Sequence, residues 1–169
     1  MTSTLHARST VMTRHPAARP PRALEFAAWT NIALAAAHVV CLIWAYSVFR
    51  AVGIEGEMRR LAEQGGAALP YVVTLIVAAG FLVFGLYGLS GAGVVRRLPL
   101  LRTALVSIAA VYILRGTLLG GFGAIAAGDA AQIAFAAVAL AIGLGYASGA
   151  LAQRRSSQPT ANVAGARSA

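Results

Sequence analysis

Three stretches of this chain carry no charged residue, and each is long enough to cross a lipid bilayer. They cover residues 26–49, 64–95 and 130–153, and a fourth stretch, 98–119, has an arginine near each end and is apolar between them. A helix of about 20 apolar residues spans the hydrocarbon core of a bilayer. This feature predicts an integral membrane protein that crosses the bilayer four times.

The composition excludes the main alternatives. Hydrophobic residues make up 59% of the 169 residues and charged residues only 11%, whereas soluble domains carry about 25% charged residues. So few polar groups could not cover a globule in water, and such a composition is not typical of a disordered chain. Membrane-spanning strands alternate apolar and polar positions, but these stretches are apolar on every side. We therefore expect an all-α fold, a bundle of four transmembrane helices at about residues 24–49, 69–89, 98–119 and 130–151.

The two ends of the chain differ in composition from the part between them. Residues 1–22 are rich in Ser, Thr, Arg and Pro, and residues 153–169 are also polar. We expect both tails to be disordered, with the transmembrane domain at residues 23–152. The first apolar stretch is too long for the core of a secretory signal peptide, so we expect it to remain as a helix. Translation can start at Met1 or at Met12.

All 14 basic residues are arginines, and ten of them fall on one side of the predicted spans. An excess of basic residues marks the cytoplasmic loops of membrane proteins, so both termini are expected in the cytoplasm. The Ala- and Gly-rich composition suggests a GC-rich bacterial gene. Because the arginines flank apolar spans, nucleic-acid binding is not expected. The arginines on this side are Arg8, Arg14, Arg19, Arg22, Arg96, Arg97, Arg102, Arg154, Arg155 and Arg167.

The loop between the second and third spans is expected to lie at the cytoplasmic membrane surface. There Arg96, Arg97 and Arg102 would contact anionic lipid, with a contribution of about 1 kcal/mol for each basic residue near the surface. Ser90 and the following glycines permit a tight turn. Pro99 is expected at the start of the third helix, where its missing N–H does no harm.

The opposite side is expected to carry a short surface helix at residues 54–64. Its apolar residues share one face at helical spacing. Glu55 with Arg59, and Arg59 with Glu63, are spaced four residues apart and can form ion pairs. Aromatic residues would anchor the spans at the two interfaces: Trp29 and Tyr146 on the inner side, and Trp44, Tyr46 and Tyr71 on the outer side.

One stripe of the first span carries two polar residues. Asn31 and His38 lie on one stripe with small residues, and this stripe is expected to face the bundle. Ionisable residues at this depth are costly and are candidates for function. One hypothesis is that His38 transfers protons or binds a cofactor; the other is that its neutral imidazole forms a hydrogen bond to a neighbouring helix. A haem held by two histidines is excluded, since no other predicted helix contains one.

Arg115 and Asp129 flank the loop between the third and fourth spans. Asp129 is expected to cap the fourth helix by accepting a hydrogen bond from Gln132. Because no other charge lies between them, the favoured hypothesis is an Arg115–Asp129 ion pair. The alternative is that Arg115 binds an anion or a lipid headgroup from the outer side.

Small residues recur at every fourth position of the fourth span. Such stripes allow helices to approach closely in lipid. Two interpretations remain open, packing within the bundle and a face for dimerisation. The residues are Ala137, Ala141, Gly145 and Gly149, and Gly116 and Gly120 repeat the spacing on the third span.

One segment of the chain resembles a known group of proteins. Residues 85–102 read GLYGLSGAGVVRRLPLLR, and YILRG follows at 112–116. This resembles small four-span bacterial inner-membrane proteins that share a Ser-Gly-Ala-Gly…Arg-Arg-Leu-Pro hairpin and a later Leu-Arg-Gly. The resemblance covers about a fifth of the chain. It implies a bacterial inner-membrane location and carries over no catalytic residue.

The sequence offers no pattern that is typical of an enzyme. It lacks paired carboxylates, a Ser/His/Asp set, metal-ligand spacing and a phosphate-binding loop, and its single cysteine, Cys41, cannot form a disulfide within the chain. No cofactor is expected. We expect a non-enzymatic protein that acts by packing against lipid, a second copy or another membrane protein. A small transporter or channel using His38 or Arg115 is the alternative, which a water-filled cavity at His38 would favour over a closed core.

The predicted topology can be tested with alkaline phosphatase fusions, which are active only outside the cytoplasm. Fusions at Gly65 and Ala127 should be active because both positions lie in the predicted outer loops. A fusion at Arg155 should be inactive because the C-terminal tail is predicted to be cytoplasmic. Activity of the Arg155 fusion would contradict four spans with both termini inside.

Overall fold

A computed structural model describes residues 22–118 and 120–156, and every regular element in these ranges is helical. Residues 1–21 and 157–169, which hold most of the two predicted tails, lie outside the described residues. The helices are α1 (Arg22–Cys41), α2 (Ala45–Ala51), α3 (Glu55–Gly65), α4 (Leu69–Gly91), α5 (Leu101–Thr117), α6 (Gly121–Ala127) and α7 (Ala130–Ser156), and a 3₁₀ turn at Leu42–Trp44 separates α1 from α2.

Within the described residues, four helical segments are long and apolar enough to cross a membrane. They are Arg22–Ala51, Leu69–Gly91, Leu101–Ala127 and Ala130–Arg155. The prediction of an all-α membrane protein with four spans is therefore confirmed. The fourth of these segments continues beyond residue 152, so its last turns lie in the stretch that the sequence assigned to the C-terminal tail.

The first span is broken, whereas the sequence predicted one helix over residues 24–49. The 3₁₀ turn follows Cys41, and Trp44 has φ −119° and ψ 36°, outside the helical region. Helix breaks are usually caused by proline or glycine. Neither residue occurs between Arg22 and Ala51, so the break left no local signal in the sequence.

The third span also consists of two helices. It begins at Leu101 because Leu100 adopts a left-handed conformation, with φ 52°. Pro99 therefore precedes the helix and is not its first residue, which corrects the prediction. At the other end the turn around Gly120 separates α5 from α6, which continues to Ala127.

The hairpin between α4 and α5 is closed by a glycine cap and a buried serine. Gly93 has φ 75°, its N–H donates to the Ser90 carbonyl at 3.2 Å, and the Val94 N–H donates to the Leu89 carbonyl at 2.9 Å. These bonds form a Schellman motif, which requires a left-handed residue. The Ser90 hydroxyl accepts from the Leu98 N–H at 2.9 Å and donates to the Arg96 carbonyl at 3.1 Å. The side chain of Ser90 thereby holds the loop against the end of α4.

The four long helices are antiparallel to their neighbours, and α1 and α7 lie at the centre. α4 packs mainly on α1, α5 packs mainly on α7, and α1 contacts α7. The end of α4 approaches the start of α1, since a Cβ on Gly91 would lie 3.0 Å from Leu24. The same end of the bundle thus holds the start of α1, the α4–α5 hairpin and the end of α7.

Glycines permit the close approach of these helices. A Cβ on Gly85 would lie 3.1 Å from the carbonyl oxygen of Ala28, and one on Gly145 would lie 2.8 Å from that of Ala23. On the other helix pair, a Cβ on Gly116 would lie 2.8 Å from the carbonyl oxygen of Ala136. Because lipid supplies no hydrophobic force between helices, such close packing is a main source of their association.

The predicted surface helix is confirmed as α3, and a cluster of ion pairs fixes it to α2. Glu55 accepts from Arg50 Nε at 2.9 Å and from Arg59 Nη2 at 2.7 Å. Hydrogen bonds from Arg50 and, to a smaller extent, from Arg59 lower the pKa of Glu55 to about 2. Because folding lowers this pKa, the stabilisation is present above the ordinary value of 4.5 and is lost as the pH falls toward about 2.

The second predicted pair of α3, Arg59 with Glu63, does not form among the described residues. Arg59 binds Glu55 instead. An acidic residue four positions before a basic one is the better of the two orientations on a helix. Arg60 pairs with Glu57 at 3.2 Å.

A glycine substitution tests the close packing of α7 on α1. Gly145→Ala should lower the free energy of unfolding by about 1–3 kcal/mol, because the new methyl group would meet the backbone oxygen of Ala23 at 2.8 Å. Gly80→Ala is the matched control, since a Cβ at Gly80 would meet nothing within 4 Å. Unfolding of both variants is followed in mild detergent. Equal stability of the two variants would contradict close contact between α7 and α1.

Candidate functional site

A network of hydrogen bonds between polar side chains lies in the core and connects all four long helices. Asn31 of α1 is fully buried and donates through Nδ2 to the Ala27 carbonyl at 2.9 Å and to the Tyr146 hydroxyl at 3.3 Å. The Tyr112 hydroxyl of α5 donates to Asn31 Oδ1. The Tyr146 hydroxyl of α7 donates to the Phe84 carbonyl of α4 at 2.7 Å. We call these residues the Asn31 network.

The aromatic rings of the network also pack on one another. The rings of Tyr112 and Tyr146 are nearly parallel with centroids 6.4 Å apart, and Phe84 meets Tyr112 edge-on at 6.1 Å. Among the described residues, no buried side-chain nitrogen or oxygen lacks a hydrogen-bond partner. A polar group buried without a partner is costly. The complete pairing therefore stabilises the contact between the four long helices.

The sequence anticipated one part of this network. Asn31 was predicted to face the bundle, and the structure places it there. The prediction that Tyr146 anchors at the inner interface is wrong, because this side chain has no exposed surface. Tyr112 was missed. The available signal was a tyrosine in the middle of an apolar span, where its hydroxyl must find a partner inside the protein.

His38 lies on the same face of α1, two turns beyond Asn31. Its Nδ1 lies 2.7 Å from the Leu34 carbonyl oxygen, and its ring packs on Phe81 of α4 with centroids 5.0 Å apart. The predicted hydrogen bond to a neighbouring helix is absent among the described residues. The imidazole uses a carbonyl of its own helix, because the side chains that face it from α4 are mostly apolar.

A cavity of about 340 Å³ opens beside His38, between the end of α1, α2 and the first half of α4. Most of its walls are aliphatic or aromatic, and the residues that line it in the described part of the chain include no Arg, Lys, Asp or Glu. Its polar lining side chains are His38, Thr74 and Cys41. The Thr74 hydroxyl donates to the Pro70 carbonyl at 2.8 Å. The cavity therefore suits an apolar molecule better than an ion or a column of water.

The structure separates Arg115 from Asp129. No ion pair joins them within the described residues, and both are exposed. Asp129 instead accepts from the Gln132 N–H at 3.0 Å, so the predicted N-cap is confirmed and the predicted ion pair is wrong. The turn at Gly120 and the added helix α6 lie between the two residues. A Cβ on Gly120 would overlap Nη1 of Arg115, so the guanidinium lies against this turn.

The stripe of small residues on α7 divides into two halves. Gly145 and Gly149 are buried and lie against Ala23 and Leu24 of α1, whereas Ala137 and Ala141 are exposed. Of the two interpretations, packing within the bundle fits Gly145 and Gly149, whereas Ala137 and Ala141 do not pack inside it. Residues four apart advance about 40° beyond a full turn of helix. Over three such steps the stripe rotates by about 120°, from the lipid-exposed side to the core.

Charge is distributed unequally between the two ends of the bundle. We call the end with the α4–α5 hairpin the basic end and the opposite end, with α2, α3 and α6, the balanced end. In the described part of the chain, the basic end carries six arginines and only Glu25, while the balanced end carries four arginines and four carboxylates. The six arginines are exposed: Arg22, Arg96, Arg97, Arg102, Arg154 and Arg155.

Gln153 links the end of α7 to the α4–α5 hairpin at the basic end. Arg97 Nη2 donates to Gln153 Oε1 at 3.3 Å, and Gln153 Nε2 donates to the Gly91 carbonyl at 3.5 Å. These bonds hold the end of α7 beside the hairpin, so that arginines far apart in sequence form one surface.

Comparisons of the chain with known protein families, with curated proteins and with solved structures found no match. The resemblance of the hairpin to small four-span bacterial proteins therefore stays a prediction.

Two variants test the Asn31 network. Tyr112→Phe should lower the free energy of unfolding by about 0.6 kcal/mol, the average for a hydrogen bond between membrane helices. Asn31→Leu should lower it more, because it leaves the Tyr112 hydroxyl buried without an acceptor. In the double variant that penalty disappears, so the double variant should lose less than the sum. The measurement is unfolding in bicelles.

Tyr71→Phe is the control for removal of a hydroxyl. Tyr71 is partly exposed at the start of α4, and its hydroxyl forms no hydrogen bond within the described residues. Its loss should leave stability unchanged. Strictly additive effects of Asn31→Leu and Tyr112→Phe would show that the two side chains do not interact.

Proposed function

We propose that this chain is a non-enzymatic integral protein of the bacterial inner membrane, with both termini in the cytoplasm. It acts through contacts of its helix bundle and of its basic end, which binds anionic lipid. The single observation that carries the proposal is the unequal charge of the two ends. A basic excess is typical of the cytoplasmic side, where the anionic leaflet attracts exposed arginines.

The geometry of the basic end supports lipid binding. Arg96, Arg97 and Arg102 are exposed on the hairpin, and Gln153 places the end of α7 with Arg154 and Arg155 beside them. Charged groups this close to the spans lie within reach of phosphate groups in the headgroup layer. At the balanced end, by contrast, Arg50, Arg59 and Arg60 are already engaged by carboxylates.

The state of the core supports a non-enzymatic role. The Asn31 network is a buried polar cluster between the described helices, and its members are hydrogen-bonded to one another or to the backbone. An active site needs polar groups that are free to bind a substrate or move a proton. We propose that the bundle works as a scaffold, whose lipid-facing surface, including Ala137 and Ala141, contacts lipid, a second copy or another membrane protein.

A small transporter or channel is the second candidate function. The observation in its favour is the cavity that reaches His38, and Arg115 is exposed at the same end of the bundle. A transport path would have to continue from this cavity toward the basic end. The Asn31 network and the close contact of α1 with α4 at Gly85 fill that region, so the first proposal has the stronger support.

Lipid binding can be measured by native mass spectrometry of the protein released from detergent micelles. Wild-type protein should retain phosphatidylglycerol in preference to phosphatidylcholine. The triple variant Arg96→Gln, Arg97→Gln and Arg102→Gln should bind phosphatidylglycerol at least tenfold more weakly, since each basic residue near the surface contributes about 1 kcal/mol. Phosphatidylcholine retention should not change.

The control removes the same number of charges from the balanced end. The triple variant Arg50→Gln, Arg59→Gln and Arg60→Gln should retain phosphatidylglycerol like the wild type, because those guanidinium groups are paired with Glu55 and Glu57. Equal losses in the two triple variants would mean that net charge alone governs binding. That result would contradict a lipid site at the basic end.

A further inference from the structure

The cavity beside His38 has no role in the favoured proposal, a scaffold that binds anionic lipid. Its volume of about 340 Å³ lies within the range of about 300–1,000 Å³ that is typical of small-molecule sites. An apolar cavity of about 150 Å³ in a protein core is already large enough to take up a benzene molecule. The cavity is therefore large enough for an organic ligand with a ring or a short chain.

The break in the first span forms part of this cavity. α1 contributes Leu34, Ala37 and His38, and α2 contributes Val48 and Phe49 from beyond the 3₁₀ turn. In membrane proteins, irregular backbone at membrane depth is tolerated where it is buried in protein or lines a cavity. The break thus coincides with a place where an ionisable side chain borders a large apolar space.

His38 can accept one further hydrogen bond. A carbonyl oxygen only accepts hydrogen bonds, so the contact of 2.7 Å with Leu34 requires a proton on Nδ1 of His38. In a neutral imidazole with this proton, Nε2 has a free lone pair and is an acceptor. Among the described residues, no side chain or backbone group donates to Nε2.

The surroundings of His38 restrict the ligand further. No charged residue of the described chain lines the cavity, so an ionic ligand would lack a counter-charge. The hydroxyl of Thr74 already donates to the Pro70 carbonyl. A ligand that suits this cavity is therefore apolar except for one hydrogen-bond donor, which Nε2 of His38 can accept.

We propose that this cavity binds a lipid-soluble molecule that carries one alcoholic or phenolic hydroxyl group. The apolar body of the molecule fills the space between α1, α2 and α4. Its hydroxyl donates to Nε2 of His38. The ligand enters from the bilayer, because Val39, Val40 and Val77, next to His38 and on the facing helix, are exposed on the membrane-spanning surface.

A pair of probes that differ only in the hydroxyl group tests this proposal. 4-Hexylphenol has a donor, and 4-hexylanisole carries a methoxy group in its place. The protein is placed in nanodiscs as the His6→Gln, His15→Gln variant, so that His38 is its only histidine. The imidazole is labelled with ¹⁵N and observed by NMR.

The ¹⁵N spectrum should show a protonated Nδ1 and an unprotonated Nε2. 4-Hexylphenol should shift the Nε2 signal to saturation, and 4-hexylanisole should bind about fivefold more weakly and leave this signal in place, as expected for loss of one neutral hydrogen bond. Equal affinity for both probes would overturn the proposal, since the cavity would then accept any apolar chain. A protonated Nε2 in the free protein would overturn it as well.

Substitutions locate the bound probe. Val73 lines the cavity, so Val73→Phe should fill the space and weaken binding of 4-hexylphenol at least tenfold in saturation-transfer NMR. Val72 is its exposed neighbour and does not line the cavity, so Val72→Phe should bind like the wild type. His38→Leu keeps the apolar space and should remove the preference for the phenol. Equal losses in the Val72 and Val73 variants, or an unchanged preference in His38→Leu, would show that the probe binds elsewhere.

Discussion

The hydrogen-bonding requirement of one buried amide sets the register of this bundle. Asn31 has no exposed surface, and the hydrocarbon around the helices offers no hydrogen bond in place of a missing partner. Its partners come from α5 and α7, and the Tyr146 hydroxyl extends the connection to the backbone of α4. A shift of any of these helices by one residue would separate donors from acceptors. The Asn31 network therefore requires the four helices to meet at one level.

Close packing and the hydrogen bonds of the core depend on one another. Gly88 of α4 allows the Tyr146 hydroxyl to approach, since a Cβ at this position would lie 2.7 Å from it. Gly145 of α7, next to Tyr146, meets the backbone of α1. Glycines thus lie where the network needs short distances between helices. Farther from the network, the first span is broken by the 3₁₀ turn at Leu42–Trp44, and a cavity lies there beside His38.

Single residues show why some of the candidate site could be predicted and the rest could not. Asn31 was found because an amide within an apolar span must face the protein interior. The Arg115–Asp129 pair was wrongly predicted because sequence distance indicated a short loop, whereas the chain forms the extra helix α6 there. Ala137 and Ala141 were grouped with Gly145 and Gly149 by spacing alone, which ignores the rotation of a stripe around its helix.

The sequence by itself determined that the chain has four membrane-spanning helices, that α3 lies outside them and that charge is unequal between the two ends. Hydropathy, capping and charge are properties of single residues and their near neighbours, so they can be predicted from the sequence. Only the tertiary structure decided which polar groups meet. Asn31 is separated by 81 residues from Tyr112 and by 115 from Tyr146, and their contact depends on the rotation and register of helices, which no local pattern records.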